Sequence, residues 1–350
     1  MEVCVSQYMY IYGSLIFSNM IVWLVDIDST IPNLALMKLA SYHIEKGDHV
    51  ELVRNVRIAK SQPDMIYISC IFSWNKKRCE RFNHLDIPII KGGSGYDTTV
   101  SLDPEIDSCD PYIDLYGKDW VVGYSHRGCI RTCDFCVVPQ ESLRMYGRKG
   151  IQRNETTIQE MLEPHPDIKR VQLLDNNFLA KPNAIEEMEW CTENNIEVNF
   201  NQGLDIRLIS PSVGYKRAEA LGKVKYRSTT FKSPIVNFAY DHVSIKDQVV
   251  RGIEHLQKAG IDTRHKVQFY VLIGFNSTFE DDVARINHLR SLNTNPFVMM
   301  YRQPNKGFSK GTPHPLHKKL ARWANRKHLF WSCNFDDYIG IAPNQQRFAV

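Results

Sequence analysis

Between Ile21 and Tyr301 the chain repeats one pattern. A short run rich in Val, Ile, Phe and Tyr is followed by a longer segment whose apolar residues recur every three or four positions. This alternation restricts the fold more than any other feature. Strand and helix in strict succession bury both apolar surfaces when the strands lie parallel and the helices pack on their faces. In the first region strands are expected at 21–27, 49–53, 65–72 and 87–90, with a helix from about Pro32 to Lys46 ending at Gly47. A doubly wound parallel sheet is the expected result. A second series starts at 120–128 and continues with strands near 171–175, 198–202, 235–241, 267–275 and 297–301. Helical stretches around 155–163, 183–194, 211–222, 244–259 and 279–292 separate them. Six such units predict an open, partial (β/α)6 TIM-type barrel. The fold class is therefore α/β throughout.

These readings divide the chain into a first domain at 20–96, a linker at 97–118 rich in Asp, Pro and Ser, a barrel at 119–303 and a helical extension at 304–350. In the extension Leu320, Trp323 and 328–330 give one side of a helix its apolar surface. Residues 1–19 are expected to form a disordered or mis-started extension. The apolar run from Met9 to Val25 does not predict a membrane span: no Lys or Arg precedes it, and Ser14, Ser18 and Asn19 interrupt it. Its second half reads better as a buried parallel strand. A formal charge of +4 with interleaved cations and anions does not by itself mark a nucleic-acid binder.

The nine cysteines are distributed unevenly: three lie in one stretch of eight residues, and Cys4, Cys70, Cys79, Cys109, Cys191 and Cys333 are scattered. A disulfide framework belongs to smaller, Cys-denser secreted chains, so a reducing, cytoplasmic setting is expected with the tight cluster reserved for metal. That cluster reads Cys129-Ile130-Arg131-Thr132-Cys133-Asp134-Phe135-Cys136, a C-x3-C-x2-C motif with an aromatic before its last cysteine. Three thiolates on one loop suit one soft metal centre. A cubane iron–sulfur cluster normally takes four cysteines, so three leave one iron open. The competing reading is a structural zinc site with His126 as fourth ligand, although such sites usually pair separated knuckles.

This spacing resembles the signature of the radical S-adenosylmethionine superfamily. The resemblance implies a 4Fe-4S cluster on Cys129, Cys133 and Cys136, with S-adenosylmethionine on the open iron. It implies reductive cleavage of that cofactor to a 5′-deoxyadenosyl radical, which takes a hydrogen atom from substrate. It also implies an electron donor such as a flavodoxin or ferredoxin. The superfamily places a polar motif after the second barrel strand to hold the cofactor's amino group. Asp175, Asn176 and Asn177 of LLDNNF stand there, in an Asp-Asn-Phe form rather than the commoner Gly-Gly-Glu. An Asx turn ending a strand is compatible with the same residues. In NQGLDIRL, Asn201, Gln202, Asp205 and Arg207 are candidates for the ribose and the cofactor carboxylate, with a surface Asp205–Arg207 salt bridge as the alternative. Asp241 and His242 end a later strand and are candidates for substrate contact or proton transfer, a structural histidine being the alternative. VLIGFNSTFED resembles the fifth-strand motif against adenine, where Gly274 permits close backbone approach.

Residues 21–96 resemble the cobalamin-binding domains attached to many radical enzymes, through their architecture and the turn GGSGYD. Their cobalt-ligating histidine has no counterpart in DIDSTIPNLAL, and His43 lies in the helix itself, where a surface role is expected. Bound cobalamin is therefore not expected. Beyond residue 20 the chain is similar to radical S-adenosylmethionine proteins with a degenerate domain of this type. The shared landmarks are PNLALMKLA, GGSGYD, LLDNNF, NQGLDIRL, GFNSTFEDD and LARWANR; they imply no substrate. Two alternatives stay open. One is an RNA-modifying enzyme of methylthiotransferase type, for which Arg144, Arg148, Lys149 and Arg153 would supply a basic groove, a solvated charged face being the more frequent role of such residues. The other is a non-catalytic metal-binding protein.

Overall fold

A computed structural model describes residues 19–54, 61–302 and 314–340. The fold is mixed α/β with parallel sheets, and the chain divides into two compact units, Met1–Lys118 and Asp119–Val350.

In the first unit β1 (Ile21–Asp26), β2 (His49–Val53), β3 (Met65–Ser69) and β4 (Ile89–Gly92) form a sheet of order β2-β1-β3-β4, parallel throughout. The alternation of side chains along β1 explains why both faces are covered. Val22 and Leu24 pack with Leu36, Leu39 and Ala40 of helix α1 (Leu34–Glu45) on one face. Trp23 and Val25 pack with Ile66, Ile68, Cys79 and Phe82 on the other. Helix α1 starts two residues later than Pro32 suggests, because the Asn33 side chain accepts the Leu36 N–H and serves as the cap.

Two expectations change here. His43 is buried rather than on the surface, because its ring nitrogens meet Asp48 Oδ2 at 2.7 Å and the Tyr67 hydroxyl at 3.1 Å. Segment 97–118 carries two short helical turns, Pro104–Asp107 and Ile113–Tyr116. Its Leu102, Ile106 and Leu115 pack against the cluster under α1, so it belongs to the first unit's core. Of the run from Met9 to Val25, residues 21–25 lie in β1 and 9–18 fall outside the described residues. Among the described residues no helix is long and apolar enough to cross a membrane.

The second unit opens with β5 (Val121–Gly123), β6 (His126–Gly128), α2 (Val138–Tyr146), β7 (Gln152–Asn154), α3 (Ile158–Leu162) and β8 (Arg170–Leu173). It continues through α4 (Ala184–Glu193), β9 (Glu197–Phe200), α5 (Tyr215–Lys223), β10 (Lys225–Tyr226) and β11 (Val236–Ala239). Then come α6 (Lys246–Lys258), β12 (Val267–Ile273), α7 (Phe279–Ser291) and β13 (Asn295–Met300). One parallel sheet has the order β10-β9-β8-β5 and another β11-β12-β13. Leu204, just past β9, joins them: its N–H donates to Asn237 O (2.7 Å) and its carbonyl accepts from Ala239 N (3.2 Å). Helices α8 (His317–Asn325), α9 (Lys327–Ser332) and α10 (Phe335–Ile339) close the described chain, with Leu320, Trp323, Phe330 and Phe335 buried.

The single strand expected at 120–128 is two strands. After β5 the chain turns because the Asp175 carboxylate takes both the Ser125 N–H (2.8 Å) and its hydroxyl (2.6 Å). The diverted piece, β6, pairs antiparallel with β7 instead of extending the parallel sheet.

Candidate functional site

The cysteine motif fills the loop between β6 and α2, and the β6–β7 ladder closes that loop at its base through the pair Gly128–Gln152. Gly128 is required there: it has φ +85°, and an added Cβ would lie 2.2 Å from Ile151 O. Its N–H donates to Asn176 Oδ1 (3.0 Å), which ties the loop to the end of β8. Phe135, the aromatic before the last cysteine, meets the Phe275 ring edge-on with centroids 5.7 Å apart; Phe275 in turn packs on Tyr301.

Cys129, Cys133 and Cys136 are partly exposed. Burial pushes the Cys136 thiol up to about 11, and charge on Cys129 or Cys133 raises it further. Burial also raises Cys133, against the opposing pull of Arg207. The three sulfurs are therefore near enough to sense one another's charge. Among the described residues no three His, Cys, Asp or Glu side chains stand together as a group that could hold a metal ion.

Two donors point at Cys129 Sγ, the Arg131 N–H at 3.3 Å and Asn177 Nδ2 at 3.6 Å. Donors of this kind suit a sulfur that carries negative charge. Asn177 is buried, its carbonyl O accepts from Gln152 Nε2 (3.0 Å), and its side-chain Oδ1 is buried with no hydrogen-bond partner. A polar atom of this kind in the interior is costly unless a ligand meets it.

Asp205 is buried at the turn after β9. Its carboxylate accepts from Arg207 Nε (2.6 Å) and NH2 (3.1 Å), and from Arg131 Nε (2.8 Å). Burial works to raise this carboxyl, but the two guanidinium groups outweigh it and hold it below the usual range. The Asp205–Arg207 pair is thus formed, with its carboxylate inside. The Arg207 guanidinium also faces charge on Cys133 and Cys129.

The remaining candidates divide. Asp175 is buried behind Ser125, and burial pushes its carboxyl up to about 6, against the Ser125 hydrogen bonds. Asp241 accepts from Leu272 N (3.0 Å) and is raised by burial; it lies close enough to influence Cys133. His242 accepts from Ser244 N at its Nδ1 (3.1 Å) and caps a short helical turn. Gln202 is exposed. Gly274 has φ +75° and donates its N–H to Asp282 Oδ2 (2.9 Å). The space beside it holds the His317 ring, 3.3 Å from an added Cβ.

Sequence reasoning missed Arg131 and Gln152, which touch the site from inside the motif's own hairpin. It also missed Asp282, which is fully buried and tied to Ser277, Arg285 and His317. No periodicity marks a loop arginine; the one available signal for Arg131 was its place between two cysteines.

No protein-family model and no curated protein matches the chain. Among solved structures the chain is similar to Streptococcus suis SuiB bound to S-adenosylmethionine, at 12% identity and a TM-score of 0.40, over 63% of this chain and 46% of that one. It is similar at the same identity and score to another structure of Streptococcus suis SuiB, over 75% of this chain and 55% of that one. The chain therefore spans about half the length of the solved structures it matches.

Proposed function

We propose that this chain is a radical S-adenosylmethionine enzyme in which Cys129, Cys133 and Cys136 hold a 4Fe-4S cluster. The observation that carries the reading is the convergence on Cys129: two N–H donors aimed at its sulfur, one of them from Asn177, whose other side-chain atom is a buried acceptor without a partner. Strand order supports an open barrel, since Leu204 links β9 to β11 and the parallel strands otherwise follow one another in chain order. When bound, the cluster and its cofactor supply one-electron reductive cleavage of a sulfonium and hydrogen-atom removal from an organic substrate.

The chain's own groups then have definite tasks. Asn177 Oδ1 accepts from the cofactor's ammonium, with the Asn176 amide fixing the loop that carries Cys129. Arg207, oriented by Asp205, offers positive charge to the cofactor carboxylate from a rigid mount. Arg131 and Asn177 donate to Cys129 and lower the cost of its thiolate. Asp241 is a candidate contact to substrate. A flavodoxin- or ferredoxin-type protein supplies the electron, and the first unit acts as a degenerate cobalamin-type domain without cobalamin.

Anaerobic iron–sulfur reconstitution followed by a cleavage assay tests this. The wild-type chain should turn brown and release 5′-deoxyadenosine with S-adenosylmethionine and dithionite. Cys133→Ala should lose both properties. Equal cleavage by the two proteins would sink the ligand assignment.

A further inference from the structure

The hairpin that carries the cysteines has an outer side that the chemistry above does not use. Ile130 and Val137, the neighbours of Cys129 and Cys136, are 42% and 38% exposed; Leu143 and Met145 on α2 are 42% and 57% exposed. From Leu143 to Arg153 the sequence holds four cations, Arg144, Arg148, Lys149 and Arg153, and no carboxylate. All four are exposed. Four apolar side chains and four cations thus lie within one hairpin, two of the apolar ones adjoining proposed cluster ligands.

We propose that this surface docks a small acidic redox protein that delivers single electrons to the cluster. The inference rests on the radical-enzyme reading and assigns its donor a place. Protein interfaces are enriched in Met and Arg relative to the rest of the surface, and a patch of one charge sign steers and orients an oppositely charged partner. Ile130 and Val137 adjoin the proposed sulfur ligands in the chain, so a partner seated on them would lie beside the loop that would hold the cluster. RNA fits less well. The one aromatic of the stretch, Tyr146, has the Arg153 guanidinium over its face at 4.6 Å, which leaves that face no base to stack. A second copy of the chain fits less well again, because an isologous contact would set cations against cations. In each transfer the donor is oxidised by one electron and the cluster is reduced by one.

The test uses a flavodoxin as probe, in two arms. In the first, cluster-free chain is titrated calorimetrically with oxidised flavodoxin. The double variant Arg148→Glu with Lys149→Glu should bind at least ~10-fold more weakly, with a flatter dependence on salt. Met145→Ser should weaken binding without changing that dependence. In the second, reconstituted chain cleaves S-adenosylmethionine with flavodoxin hydroquinone or with dithionite. The double variant should lose the same factor with the protein donor and nothing with dithionite. Unchanged flavodoxin affinity in the double variant overturns the proposal. So does loss of binding to a transfer-length RNA while donor binding stays intact. If wild-type chain gives no cleavage with dithionite, the radical-enzyme reading fails separately, and the calorimetric arm still decides the docking surface.

Discussion

The strand ends of the first unit and the cysteine hairpin of the second are built from the same residue types, yet one network is closed and the other is open. In the first unit Asp26 accepts from Ser29, Arg54 and Tyr116. Asp28 accepts from the N–H groups of Ile71 and Phe72 and from Asn75. Gly93 and Gly95 serve packing, since a Cβ on either would lie about as close as 2.5 Å to the backbone at Cys70 or Phe72. In the second unit Asn177 Oδ1 has no partner, and the Cys136 thiol senses charge on Cys129 and Cys133. Polar residues at a parallel sheet's edge therefore do not of themselves make a site. A site needs valences the protein leaves unfilled.

The sharpest test of this contrast pairs two glycines. Gly128→Ala and Gly93→Ala both force a positive φ on a side chain and both drive a Cβ into a carbonyl oxygen. Each should cost at least about 3 kcal/mol in calorimetric unfolding of its own unit. Only Gly128→Ala should also lose iron after reconstitution. Full iron retention there would break the comparison. Next in size, Asp28→Ala strands two backbone N–H groups and should cost about 2–3 kcal/mol in urea unfolding, with iron content unchanged.

Asn177→Ala should keep its iron and raise the S-adenosylmethionine concentration for half-maximal cleavage by about tenfold, roughly one lost hydrogen bond to a charged group. A loss of stability without a change in cofactor affinity would return Asn177 to a purely structural role. The smallest effect concerns Asp175, whose carboxyl is pushed up to about 6 by burial. An ordinary Asp ionises near 4, so between these values the folded chain keeps a proton that the unfolded chain has released. Stability must therefore rise as pH falls. Relative to Asp175→Asn, the wild type should gain about 1 kcal/mol between pH 7 and pH 5. A gain in the opposite direction would refute the buried environment assigned to this group.

Elements whose apolar residues repeat strongly were legible from the sequence: β1, β12, α6 and α7 lie where periodicity puts them. β6 and β7 were not legible, because three-residue runs with polar members carry no period. What decides their pairing is Asp175, fifty residues away from Ser125 in the chain. Leu102, Ile106 and Leu115 were hidden among Asp, Pro and Ser, which mask a core-forming segment as a linker. Candidate site residues could be named from the sequence where they share one short motif, as with the cysteines and Asn177. The site was illegible where partners meet only in space, as with Arg131 and Asp205, separated by 74 positions.

His317 on α8 shares the Asp282 carboxylate with the Gly274 amide. The carboxylate that accepts this backbone hydrogen is thus braced by the last helices as well as by Ser277 and Arg285. The exchange of that hydrogen with deuterium becomes a native reporter: slow in the intact chain, and accelerated in a chain shortened before residue 314, long before any stage of global melting is reached.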